Sequence, residues 1–189
     1  MADDHAAKAI SSYGGGLNDT PNIDRIAHEG VRFDHCYVTN SICTPSRAAI
    51  LTGTYNHVNC VKTLDTHMDN DLPHVAKHLQ TGGYQTAIVG KWHLGEGKLH
   101  EPKGFNFWSV LPGQGEYFDP FMIEMGTERE EFGYVTDIIT SKCINWLNSR
   151  DESKPFFLMC HHKAPHREWE THTNNRNLFG EDIKLPKTL

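Results

Sequence analysis

The chain has 189 residues, and 18 Lys and Arg against 24 Asp and Glu give it a formal charge of −6, which argues against a nucleic-acid binder working through a basic face. Apolar residues make up 38% and charged residues 22%, and mean hydropathy is −0.55. That is the composition of a soluble globular chain with a real core. No apolar run approaches the roughly 18 residues that span a bilayer, which excludes a membrane span.

The elements follow in chain order. Thr20-Pro21 predicts a helix start, with Ile23, Ile26 and Ala27 on one face and Gly30 as the stop. Val31 to Val38 alternates as a strand does. Thr44-Pro45 opens a second helix that runs through Ala48, Ala49, Ile50 and Leu51 to Gly53, with Cys43 just outside its N-terminus. Asp71 caps a third, with Leu72, Val75, Ala76 and Leu79 at helical spacing and Gly82-Gly83 at its end; Asp69-Asn70 before it reads as a turn. Gln85 to Val89 is a short buried strand. The Gly-, Pro- and aromatic-rich stretch from Gly95 to Gly133 reads as loops and short strands. Val135, Ile138, Ile139, Cys143, Trp146 and Leu147 mark a long amphipathic helix, and Pro155 to Cys160 a further buried strand. After Pro165 the chain is polar and aperiodic. Alternating strands and helices predict an α/β sheet of parallel or mixed order.

Thirteen His are scattered along the chain, and five Cys stand at irregular spacing with no C-x-x-C. That argues against a zinc ribbon or a disulfide scaffold. Met1-Ala2-Asp3-Asp4 has neither the basic nor the apolar region of a signal peptide. Four local patterns carry possible chemistry. Cys43-Thr44-Pro45-Ser46-Arg47 sits where exposed backbone N–H groups favour an anion, though a lone Cys there is also an ordinary buried residue. Asp3 and Asp4 repel each other and so either face water or share a hard cation such as Ca²⁺ or Mg²⁺. Gly90-Lys91-Trp92-His93-Leu94-Gly95 follows a buried strand, where open α/β sheets place their sites. His161-His162-Lys163-Ala164-Pro165-His166 follows another, but lacks the spacing of a zinc motif.

In order and type, these patterns resemble the type I sulfatases of the alkaline-phosphatase-like superfamily. The likeness runs from residue 2 to about residue 170 and includes Thr20-Pro21-Asn22-Ile23-Asp24 and Leu111-Pro112-Gly113-Gln114. It implies an α/β, alkaline-phosphatase-like sheet flanked by helices. It also implies hydrolysis of sulfate monoesters, on a sulfated small molecule or carbohydrate, to alcohol and inorganic sulfate. Cys43 stands at the position that a maturase oxidises to formylglycine, and Pro45 and Arg47 match that enzyme's recognition motif. Arg47 would hold the formylglycine hydroxyls. Asp3 and Asp4, with Cys43, match ligands of one divalent cation, usually Ca²⁺. Lys91 would bind a sulfate oxygen, His93 would orient the hydrate and act as base, and His166 would be the general acid. His5, His161, His162 and Gln114 would edge the pocket.

The sequence departs from the family in three places. Only two residues precede Asp3, no later Asp-Asn ligand pair is found, and the C-terminal subdomain is missing. Residues 1–189 are therefore expected to form a partial catalytic domain that lacks its first strand and its last metal ligands. A phosphonate monoester or phosphodiester hydrolase of the same superfamily, or an inactive truncated product, are the alternatives. Family members often act in the periplasm, in the lysosome or outside the cell, and no sorting signal here selects among these.

Overall fold

In the computed structural model, which describes residues 1–179, the chain divides into two compact units. The first comprises Met1–Asp3 and Val38–Ala164, the second residues 4–37 and the chain from Pro165 onward. The part of the polar tail beyond residue 179 lies outside the described residues.

The first unit is built on a five-stranded sheet. Its strands are β1 (Gln85–Lys91), β2 (Phe107–Leu111), β3 (Phe121–Glu124), β4 (Thr127–Glu130) and β5 (Phe156–His161), in the order β4-β3-β2-β1-β5. β1 is central and parallel to both β2 and β5, whereas β2–β3 and β3–β4 are antiparallel. A central parallel strand is covered on both faces and must be apolar throughout. The run Ala87-Ile88-Val89 meets that need, and Thr86 to Lys91 are all buried. The strand extends two residues past the expected end at Val89. β4, at the sheet edge, reads Thr-Glu-Arg-Glu and is fully exposed, a charged edge that discourages further strand pairing.

Alternation along β1 sends Ile88 and Val89 to opposite faces. Ile88 joins a core of Ala48, Leu51, Val61, Met68, Ala76, Trp92, Leu94, Phe105, Trp108 and Val110. These residues bring in helices α2 (Cys43–Thr52) and α4 (Val75–Thr81). Val89 joins Leu111, Tyr117, Met122, Val135, Ile139 and Cys143, under α5 (Val135–Ser149). A short helix, α3 (Asn56–Asn59), follows α2. Asn56 ties the start of α2 in place: its side-chain amide donates to the carbonyls of Pro45 and Val61, both at 2.8 Å.

The second unit holds α1 (Pro21–Glu29). Thr20 precedes it as expected, but its hydroxyl donates to Asp24 Oδ1 (2.9 Å) instead of capping a backbone N–H. Ser11 and Ser12 complete the cluster around that carboxylate. Ile23 and Ile26, the expected apolar face, are exposed.

Three expectations are corrected. Residues 31–38 form no strand, and all eight are exposed; alternation alone does not make a strand without a partner ladder. α4 begins at Val75 and not after Asp71, because Pro73 drives Leu72 out of the helical region. Cys43 is the first residue of α2, not a residue outside it.

His74 is 1% exposed, stacks on Phe105, and has no hydrogen-bond partner on either ring nitrogen. Burial, helped by the nearby positive charge of Lys77, draws its pKa from 6.5 down to about 4. The folded state thus rejects a proton that the unfolded chain accepts below pH 6.5. Stability is full above that pH and falls as the pH drops towards 4, by about 3 kcal/mol in all. His161 adds a second slope of the same sign, reaching down to about pH 3. We expect His74→Leu to flatten the limb between pH 6.5 and 4 in urea unfolding followed at a series of pH values, leaving the His161 part in place.

Candidate active site

Among the described residues, four Asp, Glu, Lys or Arg side chains are buried: Asp3, Arg47, Lys91 and Lys163. All four belong to one linked group in the first unit. Burying a charge without a partner is costly, so their convergence requires an arrangement that pairs them.

Asp3 is placed by backbone pairing. Met1 N donates to Cys160 O (2.6 Å), His162 N to Met1 O (2.9 Å) and Asp3 N to Ala164 O (3.1 Å). This is the slanted pattern of a parallel ladder, and it carries Asp3 alongside the carboxyl end of β5. Arg47 comes from α2, one turn after Cys43; Lys91 is the last residue of β1. Arg47 Nη2 lies 3.2 Å from Asp3 Oδ1, and Lys91 Nζ pairs with Asp3 Oδ2. Arg47 Nη1 donates to the Lys91 carbonyl (2.5 Å) and lies 3.4 Å from His161 Nδ1. Lys91 Nζ also donates to Gln114 Oε1 (2.6 Å), and Lys163 Nζ donates to the Gln114 carbonyl (3.3 Å) while standing 4.9 Å over the Tyr117 ring.

Burial pushes the Asp3 carboxyl up, but the Lys91 hydrogen bond and the charges of Arg47 and Lys91 outweigh it and hold the group below the ordinary value. His161 is drawn down to about 3, first by burial and then by Arg47, so it is a neutral imidazole here. Among the described residues Arg47 and Lys91 share the buried carboxylate of Asp3, and fixed positive charge in such a place suits an anion.

Cys43 is half-buried, and its Sγ lies within 4.8 Å of an Asp3 carboxylate oxygen. As the first residue of α2 it also feels the positive end of the helix. His93 is half-buried, has φ +54°, and lines a cavity of about 310 Å³ with Leu64, Asp65, His67, Gly95, Glu96 and Gly113. A left-handed backbone at a bulky residue is uncommon and is concentrated at functional sites. Asp4 and His166 belong to the second unit, where His166 Nε2 stands 3.7 Å from Asp4 Oδ2 and its Nδ1 donates to the Arg167 carbonyl (2.6 Å). His5 is also there, half-buried. His162 lies beside Cys160 instead of the ion cluster.

The structure thus joins Asp3, Arg47, Lys91 and Gln114 directly and brings Cys43 close to Asp3. Sequence reasoning missed Lys163. The signal available was its place two residues after His161, on the same side of an extended chain. Asn70 is a buried donor to the carbonyls of Leu99 (2.7 Å) and Glu101 (2.8 Å), so it serves the loop after β1.

Asp3→Asn would leave Arg47 and Lys91 without their counter-charge. Breaking a buried pair in this way costs roughly 3–5 kcal/mol, and urea denaturation at neutral pH measures it. The loss should shrink as the pH falls through the depressed pKa of Asp3 in the parent, where the parent carboxyl itself protonates.

Comparison with known proteins gives a consistent picture. The chain is 49% identical over 186 residues to an N-acetylglucosamine-6-O-sulfatase of Bacteroides thetaiotaomicron, covering 97% of this chain and 33% of that protein. It is 30% identical to the N-acetylglucosamine-6-sulfatase of Capra hircus, covering 86% of this chain and 33% of the relative. The chain therefore spans about a third of the length of these curated relatives. Among solved structures, one in complex with its substrate D-glucosamine-2-N,6-O-disulfate superposes with a TM-score of 0.89 at 49% identity, covering 96% of this chain and 37% of that one. The α/β architecture, a mixed sheet flanked by helices, matches it. A family model described as Sulfatase matches residues 1–181, and the chain belongs to that family.

Proposed function

We propose that the chain carries the nucleophile-bearing part of an enzyme that hydrolyses sulfate monoesters, and that both compact units belong to one catalytic domain of a longer protein. The observation that carries this reading is the buried pairing of Arg47 and Lys91 with Asp3, next to Cys43 at the start of a helix. A sulfate ester carries negative charge that grows on the bridging oxygen as the S–O bond breaks. Fixed cations in a dry site favour that change at little reorganisation cost.

Each role follows from residue type and place. Lys91 holds a sulfate oxygen. Arg47, one turn into α2, orients the group at position 43. His93 takes a proton from that group as base, and His166 delivers one to the departing alcohol; imidazole suits both tasks near neutral pH. Position 43 acts as formylglycine, whose hydrate offers one hydroxyl as nucleophile and a second for release of sulfate. A maturase that recognises Cys43, Pro45 and Arg47 is the partner this requires.

Asp3, Asp4 and the group at position 43 are assigned to one Ca²⁺. The donors fit a hard cation: Asp3 is a buried carboxylate with an oxygen within 4.8 Å of the Cys43 sulfur, and oxygen in place of that sulfur would be a second hard donor. When bound, the ion polarises the nucleophile and offsets charge on sulfate oxygens.

The test is the peptide that contains Cys43, taken from full-length protein made in its own host. Its mass should be that of formylglycine, and Cys43→Ala should lower turnover of an aryl sulfate by at least about three orders of magnitude, as removal of a catalytic nucleophile does. Equal turnover by parent and variant would refute the nucleophile assignment.

For substrate class, the 49% identical relative and the substrate of the solved neighbour support a 6-O-sulfated glucosamine. We expect kcat/KM on a 6-O-sulfated glucosamine to exceed that on its 3-O-sulfated isomer and on a matched phosphonate monoester. Matched assays on the full-length enzyme check this, and a preference for the phosphonate would favour the phosphodiesterase branch of the superfamily.

A further inference from the structure

Behind the sheet, on the face covered by α5, two cysteines and a histidine stand together away from the ion cluster. α5 packs across β1 and β5, and Cys143 on α5 and Cys160 on β5 pack into the same cluster. Cys160 Sγ lies 3.4 Å from His162 Nε2. Cys160 and His162 are two apart along an extended chain and so project to the same side. Cys143 is 5% exposed, while Cys160 is half-buried.

We infer that Cys160 is a peroxide-reactive thiol and Cys143 its resolving partner, so that this pair is an oxidative modification site closing a disulfide between α5 and β5. A reactive cysteine needs a thiolate, a neighbour that stabilises it, access for a small oxidant, and a second thiol within reach. The cluster supplies all four. The neighbouring Cys143 thiol and the His162 imidazole pull the Cys160 pKa down, against the opposing effect of burial. Cys160 is also the more exposed of the two sulfurs and the one beside His162, so it is the one placed to become the thiolate. Cys36 and Cys60 are also free and more exposed, but Cys60 contacts only a backbone carbonyl through its sulfur, at 3.8 Å. Exposure alone does not make a thiol reactive.

The chemistry balances with a hydroperoxide as oxidant. The Cys160 thiolate attacks the peroxide's terminal oxygen; the O–O bond breaks, an S–O bond forms, and the departing oxygen takes a proton and leaves as water (or alcohol). Cys160 is now a sulfenic acid. Cys143 then attacks the Cys160 sulfur, an S–S bond forms, and hydroxide departs with the Cys143 proton as water. One peroxide is reduced and two thiols are oxidised. The reverse needs a dithiol reductant.

The test treats full-length protein with one equivalent of hydrogen peroxide, then alkylates remaining thiols and maps peptides without reduction. The expected result is a cross-linked peptide pair containing Cys143 and Cys160, with Cys36 and Cys60 still alkylated, all reversed by dithiothreitol. Cys143→Ser should stop at the sulfenic acid, captured by dimedone at Cys160. His162→Gln should move the pH at which oxidation reaches half its maximal rate upward, through a smaller thiolate share at low pH. Alkylation of both Cys143 and Cys160 after oxidation, or faster oxidation at Cys36 or Cys60, would overturn the inference. The peptide map of the parent protein decides this even if a variant does not fold. It reads no sulfatase activity, so it stands or falls independently of the proposed function.

Discussion

The ion pairing of Asp3 with Arg47 and Lys91 is the constraint on which the site depends. It joins three stretches separated by 44 and 88 positions, each delivered by a different element: the ladder beside β5, the first turns of α2 and the last residue of β1. A buried cation is tolerable only where a carboxylate and hydrogen-bond acceptors meet it. Arg47 is held by the Asp3 carboxylate and the Lys91 carbonyl, and Lys91 by Asp3 and Gln114. One aspartate thus pairs with both cations.

The sheet separates two kinds of work. Lys91 and His161 are the C-terminal residues of two adjacent parallel strands, the end at which open α/β sheets place their ligands. The apolar face under α2 and α4 fixes Arg47 through Ala48 and Leu51, its neighbours in that helix. The opposite face under α5 fixes the strand that carries His161. Side chains of the candidate site thus project from elements whose own positions are set by packing on both sides.

Much of this was legible in the sequence wherever a local physical signal existed. α2 announced itself through Pro45 near its start and Gly53 at its end, where φ is +67°. β1 was marked by an apolar run that only a doubly covered strand tolerates, and α5 by its spacing. Where the signal depended on tertiary partners it misled or fell silent. Residues 31–38 alternate like a strand yet stand exposed, and Ile23 and Ile26 mark a helix face that is itself exposed. Asp3 and Asp4 read as a pair because they are adjacent; at Asp4, however, φ is +60°, and the chain passes there from one compact unit to the other. Lys163 had only a weak signal, its place two residues after His161, because one of its contacts is to the backbone of Gln114, 49 residues away.

Gly90 shows how tightly the rim is drawn. Its φ is +104°, and a Cβ built there would stand 2.0 Å from the His161 carbonyl oxygen. A side chain at Gly90, the register partner of His161 and the residue before Lys91, would run into the neighbouring main chain. This position therefore does not share the tolerance of a core that can repack around a new side chain.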